Sequence, residues 1–195
     1  MNIAKVLLIV LFAGACSAEA AQFFIEPSLS YNFETTKLTD LLSTVTETKS
    51  NSPQVGLRLG LRSLSGVNLN LFAEMAQGKA ETSGFTEKNN FTKTTTGFEL
   101  GVNSLGPVKM YLGASLANSF KMDQSSQLAG FTVSGPSYRA GLLVRAYGKL
   151  NVGVQYNLNQ YDKISGSAFT NGDKLSTYFS KVDNQNYSLI FSASF

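Results

Sequence analysis

The chain has 195 residues, of which 43% are hydrophobic and 15% charged, with one cysteine and neither histidine nor tryptophan. The absence of histidine excludes His-based triads, proton shuttles and imidazole metal sites, and the lone Cys16 excludes an internal disulfide or a thiolate zinc cluster. A formal net charge of +3 is too mild for a nucleic-acid binder, and no residue pattern asks for a cofactor or a metal.

Residues 1–21 stand apart from the rest. Lys5 precedes the apolar run Val6 to Ala13, and small residues end the segment at Ala18-Glu19-Ala20-Ala21. This layout predicts a secretory signal peptide cleaved after Ala20 or Ala21, since the apolar run is too short to cross a bilayer. Ala13-Gly14-Ala15-Cys16 supplies a competing reading as a lipoprotein box with Cys16 lipidated, although Ala13 stands where that box prefers Leu. The mature domain expected is residues 22–195.

From residue 23 onward apolar residues recur with period two, the spacing of a strand with two unlike faces. The stripes are Phe23 to Phe33 at odd positions; Val55, Leu57, Leu59, Leu61; Val67, Leu69, Leu71, Ala73, Met75; Phe98, Leu100, Val102; Val108, Met110, Leu112, Ala114, Leu116; Tyr138, Ala140, Leu142, Val144, Ala146; Leu150, Val152, Val154, Tyr156, Leu158; and Tyr187, Leu189, Phe191, Ala193, Phe195. They predict eight strands. Short links rich in Gly, Pro and Ser follow the second, fourth and sixth strands (Ser63–Gly66, Ser104–Pro107, Gly148-Lys149). Long polar links, at roughly residues 35–53, 78–91, 121–134 and 162–184, follow the odd ones. Thr44, Thr46, Thr48, Thr92 and Thr94 to Thr96 lend two of these links high β-propensity, so their strands are expected to continue past the membrane as a protruding sheet.

The face opposite the apolar stripe separates a membrane barrel from a soluble sandwich or a lipocalin-like binder of apolar ligands. That face repeatedly carries glycine: Gly56, Gly60, Gly97, Gly101, Gly113, Gly141 and Gly153. An eight-stranded barrel has a bore just wide enough for side chains, so small residues there make room for large neighbours. The predicted fold is all-β, an eight-stranded antiparallel transmembrane barrel with short periplasmic turns, four long extracellular loops and both termini in the periplasm.

Across residues 22–195 this pattern resembles the small eight-stranded outer-membrane barrels of the OmpA, OmpX and opacity-protein type. The final strand, Tyr187, Leu189, Phe191, Ala193 and a terminal Phe195, is similar to the signal read by the barrel-assembly machinery. The resemblance implies an integral protein of a Gram-negative outer membrane, in contact with its lipid and lipopolysaccharide. An extracellular or host ligand would meet the loops. Lacking Trp, an interfacial girdle must rest on Tyr and Phe.

Glu26, Arg58, Arg62, Glu74, Glu99, Lys109, Arg139 and Arg145 share the inward phase of their strands. Eight charges in a narrow lumen must pair or stay hydrated. They are expected to form a charge-paired plug, with Glu26 and Arg62 on neighbouring strands near the periplasmic end, both facing inward, and Arg58, Glu99 and Arg139 meeting at mid-depth. The other reading of such a cluster is a narrow pore or conduit for small or apolar solutes. Small outer-membrane barrels that are enzymes resemble this chain in pattern but use His with Ser or Asp, and His is absent here. The loop carboxylates Asp40, Glu47, Glu81, Glu87 and Asp173 show no catalytic spacing, and no catalysis is expected.

Overall fold

The computed structural model describes residues 21–63 and 66–195. The expected signal peptide, its cleavage point and Cys16 lie outside the described residues, apart from Ala21. Eleven strands follow in chain order: β1 (Gln22–Asp40), β2 (Val45–Arg62), β3 (Val67–Thr82), β4 (Lys88–Leu105), β5 (Val108–Met122), β6 (Phe131–Ser134), β7 (Ser137–Tyr147), β8 (Leu150–Asn159), β9 (Lys163–Gly166), β10 (Phe169–Lys174) and β11 (Phe179–Ala193), with a single 3₁₀ turn at Leu175–Thr177. Eight of these close a ring. β1 through β5 pair in sequence, β5 pairs β7, β7 pairs β8, β8 pairs β11, and β11 returns to β1 with Leu29 opposite Phe191 and Phe33 opposite Tyr187. Closure leaves no open edge at membrane level, as hydrocarbon requires of any strand that crosses it.

The period-two stripes lie on the outside. Leu29, Val55, Leu71, Leu112, Val154 and Phe191 are all exposed, Leu112 by 68%, in a band around the eight strands. A soluble lipocalin-like binder would turn this stripe inward, so that alternative is set aside. Aromatic rings mark both edges of the band: Phe23, Tyr147 and Phe195 at the turn end, and Tyr31, Phe33, Tyr138, Tyr156 and Tyr187 at the other, where Tyr31 meets Phe33 and Tyr156 meets Tyr187. Tyr and Phe thus supply the girdle that Trp commonly helps to form. At the turn end Gly106 and Gly148 take φ of 69° and 54°, a conformation few other residues accept.

Two of the expected long links are mostly strand, in keeping with the β-propensity of their threonines. β1 and β2 run to a turn at residues 41–44, and β3 and β4 to one at 83–87, so the sheet extends well past the apolar band. Their outward stripe stops being apolar there, so apolar alternation alone ends these strands at the band. β6, β9 and β10 were not expected as strands, and at four to six residues they are too short to show alternation. They form a flap at the loop end. Beyond Ala114 opposite Tyr138, β5 leaves β7 and pairs with β6, then β6 with β9 and β9 with β10. A bulge makes the exchange: Thr96 faces Ala117 while Gly97 faces Ser115, which places one extra residue, Leu116, in β5. The side chains beyond it reverse phase, so Asn118, Phe120 and Met122 point inward where simple alternation would send them out.

Candidate functional site: the filled lumen and its two ends

At mid-depth, β2 carries Arg58 into the centre of the bore, where 1% of it is exposed. Its Nε donates to Glu99 Oε2 at 3.0 Å, Nη1 to Glu26 Oε1 at 3.4 Å, and Nη2 to Tyr111 Oη and Gln155 Oε1 at 3.4 and 3.3 Å. Arg139 grips Glu74 through both terminal nitrogens at 2.8 and 2.6 Å, reaches Glu99 Oε1 at 3.0 Å, and lies 3.6 Å over the ring of Phe72. Glu99 therefore bridges two guanidiniums, one per carboxylate oxygen. Nearer the turn end, Lys109 Nζ and the Ser194 hydroxyl donate to Glu26 Oε2 at 2.9 and 2.7 Å. A Cβ at Gly113 would stand 2.8 Å from Glu99 Cγ and 2.9 Å from Arg139 Cγ, so the bare backbone there makes room for the pair.

The structure brings six of the eight expected lumen residues into one network: Glu26, Arg58, Glu74, Glu99, Lys109 and Arg139. Arg62 and Arg145 stand outside it. Glu26 and Arg62 lie on the paired strands β1 and β2 toward the turn end; the register sets Arg58 opposite Glu26 and Arg62 opposite Gln22, and Glu26 pairs with Arg58 and Lys109. Arg62 instead donates to Asn68 Oδ1 at 3.2 Å and lies over Phe24, while Arg145 is exposed at the turn-end mouth. Inward phase does not imply burial once a residue reaches the rim of the bore.

A second charged layer was missed by sequence reasoning. Lys93 Nζ donates to Glu34 Oε2 at 2.8 Å, and Glu34 also accepts from Asn184 at 2.7 Å and Asn186 at 3.3 Å. Both residues share the phase of recognised neighbours, Glu34 with Glu26 on β1 and Lys93 with Glu99 on β4. Ending the strands where the outer stripe stops hid them. With this layer, four carboxylates (Glu26, Glu34, Glu74, Glu99) meet four cations (Arg58, Lys93, Lys109, Arg139), all in ion pairs.

Above Glu34 the interior turns apolar. Ala80, Phe91, Phe120, Met122, Val133, Tyr161, Ile164 and Leu175 form a buried cluster, with Phe91 stacked on Phe120 at 5.0 Å. Burial pushes the Tyr161 phenol well above its ordinary value. The loop carboxylates are engaged locally. Asp40 accepts the Leu42 and Thr44 amides, Glu87 accepts from Ser126, and Asp173 accepts from Tyr178. Hydrogen bonds from Lys49 and Lys37 hold the Glu47 carboxyl below the usual range. Of the charged residues in 22–195, those at the loop end are eight lysines and eight carboxylates; Arg62, Arg145 and Lys149 are left at the turn end.

The model of the family described as outer membrane protein beta-barrel domain matches residues 6–195. The chain belongs to that family. Solved structures share its fold at 14% identity. The attachment invasion locus protein Ail of Yersinia pestis, determined with the heparin analogue sucrose octasulfate, aligns over 89% of this chain and 99% of its own, with TM-score 0.56. OprG of Pseudomonas aeruginosa aligns over 90% and 96% with TM-score 0.53, and neisserial surface protein A over 91% and 100% with TM-score 0.50. A search of the curated proteins finds no match. Membership in this family assigns the protein to the outer membrane, where its apolar band meets lipid.

Proposed function

We propose that this outer-membrane barrel is a non-enzymatic, surface-exposed protein whose lumen is a charge-paired plug and whose interactions occur at its loop end. One observation carries the reading: all eight buried lumen charges are used up on one another, beneath an apolar cap. An ion pathway needs charges free to receive an ion, and each of these is already in an ion pair. Planar-bilayer recording tests it. The unmutated protein should give no steady conductance, whereas nanosiemens-scale steps, on the order of a general porin's wide bore, would establish the pore reading instead.

With both strand ends of the closing seam at the turn end, that end faces the periplasm and the loop end faces outward. A tag inserted at Gly84 should react on intact cells and one at Gly148 should not; reversed labelling would overturn the orientation. The expected partners at the loop end are lipopolysaccharide and an extracellular or host ligand. Ail was solved with a sulfated heparin analogue, but the balanced charge of this loop end supports recognition through polar surface and strand pairing rather than through a polyanion. β10 pairs β9 on one side only and offers an edge for such addition.

Tyr187, Leu189, Phe191, Ala193 and Phe195 serve as the assembly signal in this reading. The first three point outward along β11, Ala193 is half-buried, and Phe195 closes the seam by exchanging backbone hydrogen bonds with Ile25 at 2.9 and 3.0 Å. Phe195→Ser should sharply lower the amount of assembled barrel in cells while the purified variant refolds normally in detergent. Normal outer-membrane levels would rule out recognition of this residue by the assembly machinery.

A further inference from the structure

We propose that the turn-end mouth of the barrel binds a phosphate-bearing anion. The mouth is a cavity of about 320 Å³, and Arg62, Arg145 and Lys149 all line it, with Lys109 as a fourth cation. Lys109 is committed to Glu26. Among the described residues, the other three form no ion pair. Arg62 meets a neutral amide and the Phe24 ring, and Lys149 lies 5.0 Å from the ring of Phe195, contacts that leave both positive charges in place.

The rest of the molecule makes this concentration distinctive. Lumen charges cancel four against four and loop-end charges eight against eight, so the whole net side-chain charge of +3 in residues 22–195 sits around this one cavity. One side-chain anion lies near it and is engaged: Glu26 is held by Lys109, Arg58 and Ser194. The Phe195 backbone oxygen accepts the Ile25 amide at 3.0 Å. Cations that converge on one concavity repel one another until a counter-charge enters. Two guanidiniums present planar donor forks that suit the oxygens of a tetrahedral oxyanion, and the ammonium adds a point charge. A single carboxylate would neutralise one of the three; a phosphate or diphosphate group satisfies more of them at once. The cavity's size suits a headgroup or a small phosphorylated solute rather than a polymer. Exposed Phe23 and Phe195 at the same mouth would lie alongside an acyl chain if the phosphate belongs to a phospholipid of the adjoining leaflet.

The experiment is calorimetric titration of inorganic pyrophosphate into the full barrel in a maltoside detergent, repeated in nanodiscs of phosphatidylcholine with and without phosphatidylglycerol. Saturable binding is expected, weakened tenfold or more in the Arg145→Gln/Lys149→Gln variant and unchanged in a Lys121→Gln/Lys181→Gln control at the loop end. Both altered sites are exposed and outside the lumen network, and retained heat-modifiable gel mobility would verify folding. If phosphatidylglycerol displaces pyrophosphate, the site takes a lipid headgroup; if pyrophosphate still binds in its presence, the site takes a free phosphate compound. Absence of saturable binding in detergent, or equal affinity in the Arg145→Gln/Lys149→Gln variant, would overturn the proposal. Neither result bears on whether the lumen conducts.

Discussion

Along β4 the inward side chains run Phe91, Lys93, Thr95, Gly97 and Glu99, so one strand face passes from an apolar cluster to a salt-bridge network without changing phase. The outer face changes in the opposite sense, from Thr92 and Thr94 to Phe98 and Leu100. At membrane level the barrel buries glutamate, arginine and asparagine and displays leucine; past the band it buries phenylalanine and isoleucine and displays lysine and threonine. The same sheet obeys two solvents. Lipid exerts no hydrophobic push on outward leucines, so the membrane-level interior is held by packing and pairing. The loop end stands in water, where burying apolar surface is what stabilises. Charge pairing in the first region must be complete, because one unpartnered charge is costly. Apolar packing in the second is more forgiving of a single loss.

That contrast is broken most directly at Glu99. Glu99→Ala removes the carboxylate between Arg58 and Arg139 and leaves two buried guanidiniums short of a partner, a loss of about 3–5 kcal/mol for such an uncompensated charge. Urea unfolding in detergent micelles, followed by heat-modifiable mobility, should show it, and bilayer recordings should show no large channel. A wild-type midpoint would mean that water replaces the pair and that the lumen is less dry than its burial implies.

Leu175→Ala acts on the other interior. Truncating a buried Leu costs about 2–5 kcal/mol, but here the loss should stay local: protease cleavage within residues 160–178 should accelerate while the barrel's own unfolding midpoint holds. Equal destabilisation of both would show that the two regions unfold as one unit.

A third variant addresses the outer face. Leu112→Arg places a cation in the apolar band and should cost about 2–4 kcal/mol if Leu112 lies near the bilayer midplane. Thr94→Arg, beyond the band, should change little. If the two variants behaved alike, the boundary between the regions would lie elsewhere.

The smallest effect concerns a loop-end pair. Lys88 lies 2.5 Å from Glu81, both well exposed, and its hydrogen bond holds the Glu81 carboxyl below the ordinary range. Lys88→Ala should let Glu81 titrate at higher pH by NMR, with no measurable change in the unfolding midpoint. A clear loss of stability would mean that surface pairs there matter more than their exposure suggests.

Much of this was legible beforehand because a barrel wall in lipid writes its own pattern. Leu57, Leu59 and Leu61 must alternate with residues that fit a narrow bore, and Arg58 between them has nowhere to point but inward. Period-two alternation and inward glycine therefore determined the fold class, the eight wall strands and six members of the lumen network. Three kinds of feature depended on tertiary structure. Which charges meet depends on cross-bore geometry: Lys93 finds Glu34 at a separation of 59 residues, and Glu26 finds Arg58 and Lys109 rather than Arg62. Where β5 changes phase depends on the extra residue at its bulge, which no local signal marks. The apolar cap is assembled from β3, β4, β5, β6, the β8–β9 link, β9 and the 3₁₀ turn, each contributing only one or two buried residues. Alternation records the solvent on either side of a strand; it carries no record of the partner across the bore.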